Sequence, residues 1–399
     1  MINRPKYLDL LIKAKDIEHV KIIVGVRRCG KSTLLKMMQQ HLISVGVNQT
    51  QIITINFQDF DNEHLKDGAK FHTYVKSLIV NEQKYYLFVD EIQEMEEWAK
   101  YINSLNETCN IDIYVTGSNS RIWIGEHLTY LGGRYVAIDM YPLSINEYSV
   151  FINEDYPTQD TYDEFIKGSF PGYVLAKDPD NKRLIMQHLY SSIFHRDIML
   201  RNKFPNEALF ERVAKFLFEN IGKQTSIKSI YDTLQSSGIK VGQNTIDAYI
   251  KAMIDAYVLY PCQRYDIRGK ELLKTNAKFY IVDFGLRNYL LPQANTNAGS
   301  IYENFIYLEL LKQGFKVTTG KIGKDLEIDF IAKKNETTLY IQVAKTVEHP
   351  DTFNREIKPF SLFETKHKKI LVTEDRFTQS SETFDHLRTF DFIKLISKI

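Results

Sequence analysis

Lys21-Ile22-Ile23-Val24-Gly25-Val26-Arg27-Arg28-Cys29-Gly30-Lys31-Ser32-Thr33 decides the fold. An apolar run enters Gly-x-x-x-x-Gly-Lys-Ser, and Leu34-Leu35-Lys36-Met37-Met38 leaves it with helical character. Strand, glycine loop and helix in that order form a phosphate-binding loop. Gly25 and Gly30 allow a tight turn and a close approach of backbone to phosphate oxygens. The loop as a whole, Gly25, Val26, Arg27, Arg28, Cys29, Gly30, Lys31, Ser32 and Thr33, is the expected nucleotide contact. The amides of residues 28 to 32 and the following helix N-terminus favour an anion. Lys31 can reach the β- and γ-phosphates, and Ser32 can offer its hydroxyl to Mg²⁺.

Further along, Gln51-Ile52-Ile53-Thr54-Ile55-Asn56-Phe57 reads as a buried strand. Tyr85-Tyr86-Leu87-Phe88-Val89-Asp90-Glu91 reads as another, ending in two carboxylates. Ligand sites of parallel sheets lie at the C-terminal ends of strands. Asp90 is therefore expected to hold Mg²⁺ opposite Ser32, and Glu91 to orient and deprotonate an attacking water. A fourth strand, Ile111 to Thr116, ends in Gly117-Ser118-Asn119-Ser120. Ser118 and Asn119 are candidates to bond a γ-phosphate or the water, the alternative being a helix N-cap. Leu131-Gly132-Gly133-Arg134 precedes a fifth strand. Arg134 is either a transition-state arginine, acting in its own subunit or a neighbour's, or one half of a structural ion pair. Residues 1 to 19 hold a short amphipathic helix in front of the loop, where adenine often lies.

The motifs Gly25 to Thr33, Val89-Asp90-Glu91-Ile92-Gln93, Thr116 to Ser120, Gly133-Arg134 and Pro142-Leu143-Ser144 resemble those of the prokaryotic AAA-type ATPases that carry a C-terminal domain of unknown function. The resemblance covers nearly the whole chain, and the double arginine inside the loop is typical of it. It implies an α/β chain: a P-loop NTPase core with five parallel strands and a helical lid, then a winged-helix domain and an α/β restriction-endonuclease-like domain. Arg27 and Arg28 can equally be exposed cations near the nucleotide. The expected divisions are 1–145 for the core, 146–204 for the lid, 205–295 for the winged helix and 296–399 for an inactive endonuclease-like domain.

The residues themselves carry part of that reading. Ser226 to Leu234, Ser237-Gly238 and a helix starting near Asn244-Thr245 form a helix-turn-helix pattern. Val258-Leu259-Tyr260 and Lys278-Phe279-Tyr280-Ile281-Val282 would form a winged hairpin. Residues 201 to 274 hold twelve Lys/Arg and eight Asp/Glu, a surplus of four, and Asp247 and Asp255 are expected beside Lys251. That charge fits a DNA reader less well than a basic face would, and leaves protein contact equally open. In the last domain, Glu303 on a helix and Asp329 on a strand match two positions of a nuclease metal site. The third strand offers Gln342 and Ala344 where such a site needs an acid and a lysine, and alternation turns Lys345 to the other face.

The 399 residues are too many for one core. A hydrophobic fraction of 44% with 25% charged residues describes an ordinary globular chain, and a net charge of +1 gives no general attraction to nucleic acid or membrane. Three scattered cysteines, Cys29, Cys109 and Cys262, suggest no disulfide framework and point to the cytoplasm. No membrane span or signal peptide is read. The expected ligands are ATP or ADP and Mg²⁺. DNA, a protein partner or a second copy of the chain are the expected macromolecular partners. An ATPase that moves its C-terminal domains is the leading expectation. A slow nucleotide-gated switch is its first rival and an ATP-regulated DNA nuclease its second.

Overall fold

The computed structural model describes residues 2–123, 126–267, 269, 271–292, 297–323 and 326–399. The chain divides into two compact units. One comprises Met1–Leu143, Phe170–Arg201 and Asp255–Tyr257, and the other Ser144–Ser169, Asn202–Ile254 and Val258–Ile399. These limits cut across the expected ones. The segment read as a lid divides at 169/170, and the helices read as a winged helix share a unit with the C-terminal domain.

The first unit is built on a five-stranded sheet. Its strands are β1 (Val20–Val24), β2 (Ile52–Asn56), β3 (Tyr85–Asp90), β4 (Ile111–Gly117) and β5 (Tyr135–Asp139), in the order β2-β3-β4-β1-β5. All neighbours are parallel, as the sequence predicts for the α/β class. Every residue of β1, β3 and β4 is buried. This is why these strands read as continuous apolar runs: helices cover both faces of a parallel sheet. Ile22, Val24, Leu87, Val89, Ile113 and Val115 form its core with Trp98, Ile102 and Leu105 of the helix Trp98–Thr108. Cutting Ile22 to alanine there would cost about 2–5 kcal/mol. Lys21 and Asp112 are a buried polar pair among these strand residues. The Lys21 ammonium is buried against Asp112, which also accepts from Tyr114 Oη at 2.8 Å and from the Asp16 amide at 3.0 Å.

The second unit holds an eight-stranded mixed sheet. Its strands are β6 (Gln224–Thr225), β7 (Leu259–Asp266), β8 (Glu271–Ile281), β9 (Lys316–Ile322), β10 (Leu326–Lys334), β11 (Thr337–Val343), β12 (Lys368–Thr373) and β13 (Asp385–Arg388). Their order is β13-β12-β11-β10-β9-β7-β8-β6. Three helices, Glu207–Glu219, Ile227–Ser236 and Gln243–Asp255, precede the β7–β8 hairpin, and β6 pairs antiparallel with β8. The expected hairpin forms, but its other side is occupied: β7 pairs parallel with β9 through Arg264 and Thr319. Asp247, Lys251 and Asp255 follow one another at four-residue spacing on the helix Gln243–Asp255, with Asp247 and Lys251 exposed and Asp255 buried. The helix Ala298–Lys312 is apolar nearly all round and buried along most of its length. The β9–β10 ladder shifts register between Ile328 and Ile331, and Asp329 sits at that break. Bulges of this kind re-aim a side chain.

Candidate functional site

Three strand ends build the site. β1 runs into the glycine loop, β4 lies beside it with Val24 opposite Gly117, and β3 lies beyond with Val89 opposite Val115. Gly25, Ser118 and Asp90 therefore share the C-terminal edge of the sheet. Gly25 has φ +151°, and a Cβ there would lie 1.9 Å from the Met140 carbonyl oxygen. The chain's own packing already demands glycine at this position. Gly30 has φ +112°, in the left-handed region, and caps the helix Lys31–Ser44. Arg4 reaches in from the N-terminal segment, and its Nη1 donates to the Cys29 carbonyl at 2.8 Å. Ser32 and Thr33 are exposed on the first turn of the helix.

Lys31 is only 4% exposed. Its Nζ donates to the carbonyls of Gly25 at 2.9 Å and Val26 at 3.2 Å. A buried ammonium held by neutral oxygens is costly unless an anion joins it. That makes the loop fit a phosphate.

Asp90 and Glu91 are joined through Thr116. The Thr116 hydroxyl donates to Asp90 Oδ1 and accepts from the Glu91 amide at 3.0 Å. Glu91 takes φ +58°, a left-handed geometry uncommon outside glycine and asparagine. This turns its side chain away from the strand direction. Its Oε2 accepts from Ser118 Oγ at 2.9 Å and from Gln93 Nε2. Burial pushes the Glu91 carboxyl up, but Lys31 and Arg27, with the bonds from Gln93 and Ser118, outweigh burial and leave it below the usual carboxylate range. Glu91 is thus charged near neutral pH and fixed in direction.

Ser118 bonds Glu91. Asn119 is buried, and its carbonyl accepts from the Ile122 amide at the start of the short turn Ser120–Trp123. Thr116 and Gln93 stand within quoted motifs, but nothing in the sequence singles them out. Arg27 is not an exposed cation. Its Nε and Nη2 donate to the two carboxylate oxygens of Asp197 at 2.7 and 2.9 Å, with both side chains buried. Arg28 is exposed with φ +68°.

Arg134 stands apart from the loop. It precedes β5, and its carbonyl accepts from the Val20 amide at the N-terminal edge of the sheet. The loop begins at the opposite end of β1, about 13 Å away at ~3.3 Å per residue. Arg134 is half-exposed and pairs with Glu107, with Asn103 at 3.2 Å. A reach to a phosphate of its own subunit does not fit this position, whereas the ion-pair reading does.

The second unit gathers a different cluster. Lys278 of β8 lies 2.9 Å from Glu303, 3.6 Å from Asp329 and 3.8 Å from Glu327. Tyr280 Oη also donates to Glu303 at 2.6 Å. Gln342 accepts from the Asp329 amide at 2.7 Å and donates to Glu356 at 3.3 Å. Lys345 turns away towards Glu374, as alternation predicts. Burial and the Glu303 charge raise the Asp329 carboxyl to about 7 against the pull of Lys278. Among the described residues no group of three His, Cys, Asp or Glu side chains is placed to hold a metal ion. An ammonium already stands among these carboxylates.

A family model described as an AAA domain matches residues 18–149, and one described as a domain of unknown function (DUF8612) matches residues 158–297. The first match falls on the five-stranded parallel sheet and its glycine loop, so this part of the chain is an AAA domain with a P-loop fold. An uncharacterized protein of Haemophilus influenzae is 37% identical over 385 residues, covering 95% of each chain, and this chain belongs to the same family. An uncharacterized protein of Methanocaldococcus jannaschii is 28% identical and covers 99% of this chain and 90% of its own. Among solved structures, a Walker-type ATPase of Pyrococcus abyssi covers 73% of this chain and 96% of its own at 14% identity and TM-score 0.48. The Aeropyrum pernix ORC1 protein in complex with DNA covers 73% and 93% at 13% identity and TM-score 0.30. Likenesses this distant transfer no role. No helix among the described residues is long and apolar enough to cross a membrane.

Proposed function

We propose that the chain binds ATP with Mg²⁺ and hydrolyses it, and that its nucleotide state repositions the second unit. The observation carrying this reading is the Asp90–Thr116–Glu91 unit beside a lysine whose ammonium donates to two backbone carbonyls. Lys31 and the loop amides would bind the phosphates, and Ser32 and Asp90 would hold Mg²⁺. The ion supplies charge neutralisation at the γ-phosphate. Glu91 would take a proton from the attacking water, with Ser118 and Gln93 holding the carboxylate in place. The chain crosses between units at 143/144, 169/170, 201/202, 254/255 and 257/258, so a change in the first unit has covalent routes into the second.

Lys31→Ala removes a charge-assisted contact to phosphate and should weaken ATP binding about 10- to 100-fold. Glu91→Gln should keep binding and slow turnover about 10²- to 10⁴-fold. Titration with a fluorescent ATP analogue and a phosphate-release assay check both. Unchanged binding in the Lys31 variant would remove the phosphate-loop reading.

The slow-switch alternative uses the same site and differs only in the rate at which Glu91 acts on water. Single-turnover kinetics separate the two readings. Lys278, placed among Glu303, Glu327 and Asp329, argues against the nuclease alternative. The three helices and the β7–β8 hairpin support the winged-helix reading, with DNA or protein as its partner. The pairing of β7 with β9 favours protein, because it ties the hairpin into a larger sheet.

A further inference from the structure

We propose that Arg27 reads the γ-phosphate within its own chain, and that Asp197 is the positioning residue that holds it for that task. This rests on the ATP-binding reading above.

Arg27 lies inside the phosphate loop, between Gly25 and Gly30. It shares Glu91 as a charged neighbour with Lys31, so two cations flank the acid expected to handle the attacking water. Asp197 engages one edge of the guanidinium through Nε and Nη2. An arginine has five N–H donors, and this grip uses two of them. The rest of the fork remains for a second anion.

Asp197 belongs to an unusual element. The helix Pro179–Tyr190 continues as π-helical turns over Ser191–Leu200. Such turns are rare and gather at functional sites. The segment is fastened twice to the phosphate machinery. Asp197 holds the loop, and Arg201 Nη2 donates at 3.1 Å to Glu94, three residues after Glu91. Arg201 is also the last residue before the chain passes into the second unit. An anion bound by Arg27 would therefore be sensed by the helix that ends at that crossing. Arg134, at the far edge of the sheet, cannot serve this role in its own chain.

The experiment measures affinities for ATPγS and ADP, not turnover, in the full-length protein and in Arg27→Lys and Asp197→Asn. Loss of a two-point charged contact in Arg27→Lys should lower the ATPγS preference over ADP about tenfold or more. Asp197→Asn, of equal size, should lower it in the same direction by a smaller factor. A purely structural ion pair predicts lower thermal stability with the ratio unchanged, and that result would overturn the inference. Hydrogen exchange of residues 191–201 in the unmodified protein gives a reading that needs no variant. Protection should be greater with ATPγS than with ADP, and equal protection would overturn the inference. If the unmodified protein binds neither nucleotide, the ATP-site reading itself fails. Binding of both, with the same ratio in all three proteins, removes only the role of Arg27 and Asp197.

Discussion

Each unit gathers acids and a lysine, yet the two groups are in opposite electrostatic states. In the first unit Lys31 is bonded to carbonyls, while Asp90 and Glu91 are engaged by Thr116, Ser118 and Gln93. Cation and anions face the same place with separate partners. In the second unit Lys278 is in direct contact range of Glu303, Asp329 and Glu327. The first arrangement is incomplete without a ligand, and the second is complete in itself. Residue types alone do not make a site; the distribution of partners does.

The comparison breaks most readily at Lys278. Lys278→Met removes the cation shared by Glu303 and Asp329, leaving Arg264 beside Glu327 at 3.6 Å, which should cost about 3–5 kcal/mol of stability. Urea unfolding followed by a probe in the second unit measures it. A loss below ~1 kcal/mol would show that the lysine is not balancing the acids. Pairing it with Asp329→Asn should recover part of the loss, because one repulsive charge disappears.

Thr116→Val sharpens the other side. It keeps the shape of the side chain but frees Asp90 and the Glu91 amide of their shared partner, at a cost of about 1–3 kcal/mol. Turnover should fall more than nucleotide affinity, since the direction of Glu91 is disturbed while the glycine loop is not. Equal loss in both would mean that Thr116 supports the loop as a whole.

The remaining effect is a slope with pH. Asp329 is raised to about 7 in the folded chain, against an ordinary value of 3.8, chiefly by burial and Glu303. Between those values the folded state binds more protons than the unfolded state. Its contribution to stability therefore declines as pH rises from about 4 to about 7, and levels off above. Asp329→Asn should flatten that part of the stability profile. A slope that persists in the variant would assign it elsewhere.

Much of the first unit was legible because its signals are local. A glycine loop between strand and helix, and an apolar run ending in Asp90-Glu91, need no knowledge of distant residues. Three of the five strands, β1, β3 and β4, followed from continuous buried runs, whereas β2 and β5 are only partly buried. Asp197 was not legible: its link to Arg27 depends on a helix returning to the loop from far along the chain. Lys278 was hidden for a related reason. A nuclease pattern places the lysine two residues beyond the acid on one strand, and here it arrives from β8. Arg134 is different. A residue just before a parallel strand must lie at the edge away from the ligands, so its position could be deduced from the sequence once β5 was recognised. The expected division at 145/146 lies two residues from a unit limit, whereas at 295/296 β7 and β9 pair across the expected boundary, a long-range link that no local signal announces.

The long mixed sheet has one more property. Its two outermost members are its shortest, β6 with two residues and β13 with four. An open edge is a template on which another chain can add a strand, and short margins deny it length. At one margin, however, β6 pairs with only Lys278 and Ala277 of the eleven-residue β8. A backbone ladder laid on this sheet would therefore form along β8, and the side chains standing on that strand would control it.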